Sequence, residues 1–230
     1  MNLRPLLTAG LLAGLAATAA PAIAALPAAD DTAAAAAAVL FSDDAEAGPE
    51  AKWTVTAPEN TAISPFQRSD SGTLKVRGNQ RSQGTRSFWT GVAVDKLQPV
   101  DVQSGISAIT TKAPIAVPDG GATLTYASLF QNEGDDVGAV EVASAAAPSK
   151  WTRVDEIVAV NTAAGTTDEA VCNPADPDAL QRGLAAREAD LSKFAGQEVL
   201  VRFVLEYGGE NRALSQPCGW YVDDVKVAAK

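Results

Sequence analysis

Two short acidic stretches near opposite ends of the chain carry the residue types best suited to chemistry. Asp44 and Glu46 stand in Phe41-Ser42-Asp43-Asp44-Ala45-Glu46-Ala47-Gly48, and Asp223 and Asp224 stand in Gly219-Trp220-Tyr221-Val222-Asp223-Asp224-Val225-Lys226-Val227. Each stretch has the alternating texture of a β-strand. If the two strands lie side by side in one sheet, their carboxylates meet. Several carboxylates with backbone carbonyls suit a hard cation with oxygen ligands, such as Ca²⁺. The metal candidates are therefore Asp44, Glu46, Asp223 and Asp224. The competing reading is two independent, solvated acidic turns. Asp44 and Glu46, two apart, share a side in a strand. Asp223 and Asp224 point to opposite sides unless a bulge intervenes. With Val225 and Val227 facing the core, Asp223 shares their face and needs a hydrogen-bond partner or counter-charge there.

The chain contains no histidine. That removes Ser-His-Asp and Cys-His catalysis, imidazole metal ligands and the helical zinc-protease motif together. Carboxylate chemistry survives this count. A glycosidase pair remains an alternative reading, a carboxylate-based enzyme acting on polysaccharide, although no short motif singles out a pair. Ser192-Lys193 is a dipeptide in a turn and not a catalytic dyad. There is no Gly-rich phosphate cradle and no asparagine glycosylation sequon.

The elements that must position these acids follow from the remainder of the chain. Residues 1–24 read as a signal peptide. Arg4 is its basic start, Leu6 to Ala20 its apolar run, and Ala22-Ile23-Ala24 its cleavage site. A membrane anchor is the competing reading, but the run is short, broken by Gly10, Gly14 and Pro21, and has no basic stop-transfer flank. Residues 25–38 are an Ala-rich linker, and residues 39–230 form one domain. Export brings Cys172 and Cys218 together as one disulfide. Closing a loop of that length stabilises by ~4 kcal/mol on the chain-entropy estimate. Two buried free thiols are the alternative. The whole chain carries 18 basic and 28 acidic side chains, a net −10. Such a chain is repelled by phosphate backbones and anionic lipid surfaces, so nucleic acid is not expected as a partner. No Cys sits at the cleavage site for lipidation and no second apolar span follows, so no membrane anchor is expected.

From Val39 onward, short apolar alternations broken by Gly, Pro, Asn and Asp predict antiparallel strands. The expected strands are Val39–Asp43, Trp53–Thr56, Ser87–Thr90, Gly105–Thr110, Thr123–Phe130, Gly138–Ala143, Trp151–Val154, Glu156–Val160, Val199–Tyr207 and Tyr221–Val227. Val199–Tyr207 is the clearest. Val199, Val201, Phe203, Leu205 and Tyr207 fall on one face and a mixed set on the other. Asp178 to Arg187 has helical character for a turn or two. Gly134-Asp135-Asp136 reads as a hairpin tip. Thr111–Gly121 and Gly165–Asp178 read as loops. Trp53, Trp89, Trp151 and Trp220 read as core before they read as sugar-stacking platforms. Tyr207, beside Gly208-Gly209, is the expected rim aromatic. The pattern is all-β, an antiparallel jelly-roll β-sandwich.

Phe41–Gly48 followed by Trp53, then Ser87-Phe88-Trp89, then Val140-Glu141-Val142-Ala143-Ser144 with Trp151, resembles the MAM-like domains attached to bacterial secreted metalloproteases of the immune inhibitor A type. Asp190-Leu191-Ser192-Lys193-Phe194-Ala195-Gly196-Gln197 leading into Val201-Arg202-Phe203, and Gly219–Val225, complete five blocks in the family's order. The resemblance spans roughly Val39 to Val227. It implies a jelly-roll fold, a structural Ca²⁺ between terminal strands, and a non-catalytic binding or adhesion module that accompanies an extracellular protease. Its partner would be an extracellular protein or carbohydrate. The protease's zinc motif is absent, so peptidase activity does not carry over. Cys172 and Cys218 fall outside the family pattern. A purely structural secreted or envelope protein is the remaining alternative.

Overall fold

In the computed structural model, the described residues are 37–58, 63–69, 86–92, 104–131, 136–158, 184–207 and 219–230. Twelve strands follow in chain order: β1 Val39–Asp43, β2 Trp53–Thr56, β3 Ile63–Arg68, β4 Phe88–Val92, β5 Gly105–Thr111 and β6 Ile115–Ala116. Then come β7 Ala122–Gln131, β8 Val137–Ser144, β9 Thr152–Val158, β10 Ala185–Asp190, β11 Glu198–Tyr207 and β12 Gly219–Ala229. Among the described residues the helical content is two single 3₁₀ turns, Pro49–Ala51 and Ser192–Phe194. None of their helices is long and apolar enough to cross a membrane.

Two antiparallel sheets face each other. Sheet I has the order β10-β7-β12-β4-β3, with β1 also paired to β12, and sheet II has the order β2-β5-β11-β8-β9, with β6 paired to β11. Most steps along the chain cross between sheets, and the result is a jelly-roll β-sandwich. Strand β12 is the spine of sheet I. One side lies along β7; the other is shared by β4, opposite Trp220–Val222, and β1, opposite Val225–Ala228. The first and last strands are therefore hydrogen-bonded neighbours.

Alternation along β11 explains the core. Val199, Val201, Phe203, Leu205 and Tyr207 are all buried in it. The Phe203 ring meets Tyr126, Trp220 and Trp53 at 5.1, 5.9 and 5.9 Å, all near edge-to-face, the arrangement that aromatic quadrupoles favour. Tyr207 is 4% exposed, so it is a core residue and not a rim aromatic. The hydrophobic parity of the strand runs on to its last residue.

Several expected elements differ from those observed. Ala185–Asp190 is a strand, not the end of a helix. Its Ala-Arg-Glu-Ala composition favours a helix locally, but the β7 ladder satisfies its backbone from Ala185↔Ser128 to Asp190↔Thr123, so tertiary pairing overrides propensity. The two strands expected around Asp155 are one strand, β9, with Val154 as an extra residue where Val140↔Asp155 gives way to Glu141↔Arg153. Asp136 ends no hairpin, because β7 and β8 belong to different sheets. Strand β3 was hidden by Pro65, which an edge strand tolerates because it needs fewer ladder donors. Residues 1–36, Gly134, Asp135, Asp178, Cys172 and Cys218 lie outside the described residues.

A clasp ties the sheets along one edge. Arg187 on β10 donates from Nε and Nη2 to the Asp155 carboxylate on β9 at 2.9 and 2.7 Å. The Tyr126 hydroxyl on β7 donates to the same carboxylate at 2.7 Å. Burial opposes ionisation of Asp155, but the hydrogen bonds from Arg187 and Tyr126 outweigh it and hold the carboxyl below its ordinary range. Burial, reinforced by the bond to Asp155, raises the Tyr126 phenol well above its ordinary value.

Candidate functional site

Strand β12 departs from regular pleating at the acidic pair. Asp223 stands opposite Ala127 and Lys226 opposite Thr125, so two residues, Asp224 and Val225, face the single Tyr126. Asp224 has φ 47°, a left-handed conformation that Asp adopts more readily than most residues with a side chain. This bulge resets the alternation. Trp220 and Val222 face the core before it, and Val225 and Val227 after it. Counting back by twos from Val225 would put Asp223 in the core; the extra residue instead puts it in step with Tyr221. Asp223 is nonetheless 0% exposed, and its Oδ1 accepts the Asp224 N–H at 2.8 Å.

Beside this bulge β1 ends. Asp43 pairs with Val225, and its buried carboxylate accepts the Ala45 N–H at 3.0 Å and the Trp53 indole N–H at 2.8 Å. That bond seats the Trp53 ring and fixes the direction in which the chain leaves the strand. Ala45, at φ 57°, is the other left-handed non-glycine residue among the described residues. Beyond it Glu46 turns to Arg86: Oε1 accepts the Arg86 N–H at 3.1 Å, and the guanidinium lies 3.6 Å from Oε2.

The sequence candidates thus separate. Asp44 and Asp224 line one cleft of about 400 Å³, together with Ser42, Asp43, Thr125, Lys52 and Lys226. Glu46 is engaged with Arg86 and Asp223 is enclosed. Among the described residues no three carboxylates or thiolates converge as a metal cage would require. The Lys52 ammonium donates to the Ser42 carbonyl at 2.6 Å. Neither lysine was legible as part of the site, because only the β1–β12 register brings Lys226 beside Ser42.

A second depression of about 370 Å³ adjoins the first across Thr125 and Asp224, with Ala127, Ala186 and Glu188 among its lining residues. Glu188 pairs with Thr125, Thr125 with Lys226, and Lys226 with Ser42. A transverse row on the outer face of sheet I therefore crosses four strands, about 14 Å at normal strand spacing.

The K1 adhesin domain of Lys-gingipain from Porphyromonas gingivalis W83 aligns with 83% of this chain and 98% of its own at TM-score 0.52 and 14% identity. The K2 adhesin domain of Lys-gingipain covers 83% of this chain and 99% of its own at TM-score 0.50 and 17% identity. The jelly-roll fold is shared with both. No protein-family profile matches the chain, and no curated protein matches it significantly.

Within this jelly roll the tryptophans divide. Trp53, Trp89 and Trp220 are at most 1% exposed. Trp89 lies on the outer side of sheet I, packed with Tyr221, Leu129 and Leu184. Trp151 is half-buried, with the Arg202 guanidinium 4.1 Å above its ring. Arg202 in turn donates to Glu141 at 2.6 Å. That stack belongs to a cross-strand ion-pair ladder on the outer face of sheet II, which continues through Arg153 to Glu206.

Proposed function

We propose that the chain is a secreted, non-catalytic jelly-roll module for binding or adhesion, of the MAM-like kind, and that the β1–β12 seam takes a structural Ca²⁺. The supporting observation is the register that puts Asp44 and Asp224, from opposite ends of the domain, into one cleft. The oxygen-only acids there suit a hard cation, and Asp44 and Asp224 would hold it, with Glu46 and Asp223 just outside. Few carboxylates and two nearby lysines put the affinity at the weak end, a Kd of about 10⁻⁴–10⁻³ M. The cation would neutralise acids on two strands that the chain joins only at its extremities.

Thermal melting of metal-free protein at matched ionic strength tests this. Ca²⁺ at tenfold its Kd stabilises by ~1.4 kcal/mol, a rise of about 4 °C for a domain of this size. Asp44→Asn should abolish the rise. Equal midpoints in EDTA, Ca²⁺ and Mg²⁺ would remove the cation from the proposal. For the module itself, export with an N-terminus following Ala24 and capture of an extracellular protein or carbohydrate are the expected results. Encoding beside a secreted protease would support the accessory role.

A further inference from the structure

We infer that the depression between β7 and β10 on the outer face of sheet I is a binding site for a neutral oligosaccharide; this rests on the binding-module reading and names its ligand class. The floor is made of small side chains, Ala127 and Ala186, which stand directly opposite each other. Their methyl groups leave a flat apolar spot where a bulkier pair would fill the face. The rim is polar: Glu188 offers a carboxylate and Thr125 a hydroxyl, and Asp224 lines the border with the first cleft. Ionised carboxylates only accept hydrogen bonds, so the ligand must donate, as sugar hydroxyls do. Arg187 also lines the depression, but its guanidinium is committed to Asp155.

The location excludes a peptide strand. Peptides add to a free sheet edge, which on this side of sheet I is the outer side of β10, whereas the depression lies over the face between β10 and β7, whose main chains are paired to each other there. The charge excludes polyanions, since acidic lining groups sit on a chain of net −10. A volume of about 370 Å³ lies at the lower end for small-ligand sites. An uncharged, hydroxyl-rich chain with one apolar ring face meets all three conditions.

The test is a glycan array spanning neutral, amino-bearing and sulfated or uronate oligosaccharides, followed by calorimetric titration of the best neutral binder. Ala186 is exposed, so Ala186→Arg fills the floor without touching the core, and an unchanged melting midpoint verifies this. Neutral glycans should bind, Glu188→Gln should weaken binding about tenfold by removing a charged acceptor, and Ala186→Arg should abolish it. Neutral binding that survives Ala186→Arg overturns this site while leaving the module reading intact. Binding confined to anionic glycans overturns the ligand class. Absence of glycan binding overturns the inference altogether, while capture of a protein ligand would still sustain the module reading.

Discussion

Trp53→Ala is expected to cost about 5 kcal/mol of folding stability, against a usual total of 5–15 kcal/mol for a domain. The ring is 1% exposed and makes edge contacts with Phe41 at 5.2 Å, Phe203 at 5.9 Å and Phe88 at 6.1 Å. It therefore joins β1, β2, β4 and β11. Truncation removes the burial and leaves a cavity, about 3–5 kcal/mol for an aromatic. It also takes the indole donor from the Asp43 carboxylate, which is 5% exposed and keeps the Ala45 N–H. Chemical denaturation would read this directly, and the melting midpoint should fall by roughly 15 °C. Trp53→Phe separates the two losses: it retains most of the ring but not the N–H. Asp43→Ala should then cost less in the Trp53→Phe background than in the native chain. Additive costs would mean that the indole–carboxylate bond contributes nothing to the seam.

Arg187→Ala should open the edge of the sandwich and cost about 2 kcal/mol. That lies between an exposed pair and a buried one, because the Arg187 side chain is about one-third exposed. Arg187→Lys keeps the charge but not the two-pronged geometry, so it should recover only part of the loss. The pH dependence distinguishes the clasp from generic packing. Asp155 has a lowered folded-state value, so its contribution is present above the ordinary Asp value near 4 and is lost as pH falls through the lowered one. The native chain should therefore lose stability more steeply than Arg187→Ala below about pH 4, and the two curves should converge. Tyr126 has a raised value; its contribution is present below about pH 10 and declines above it. Parallel curves for native and variant proteins from pH 7 to 2 would show that Arg187 acts only through packing.

Local pattern and observed structure agree where one face of a strand alone carries the information. Val199–Tyr207 and Trp53–Thr56 were readable because burial on one side leaves a period of two in the sequence. Strand β10 left no such trace. Alanine fits either state, and the pairing that selects a strand comes from β7, some sixty residues earlier. The clasp was equally invisible, since Tyr126, Asp155 and Arg187 are ordinary residues until three strands meet.

The acidic ends illustrate the same division within one site. Composition determined that hard-oxygen chemistry is available and imidazole chemistry is not, because the chain holds 28 carboxylates and no histidine. Alternation determined the strands β1 and β12, but β1 ends at Asp43, so Asp44 and Glu46 lie beyond it and do not share a strand face as expected. Which carboxylates share a cleft was decided by a single extra residue in β12, whose left-handed backbone at Asp224 resets the inward and outward faces. A bulge depends on the partner strand it is counted against, so the sequence of one strand cannot reveal it. Only the assembled sheet selects Asp44 with Asp224, encloses Asp223, turns Glu46 toward Arg86 and brings two lysines into the same space.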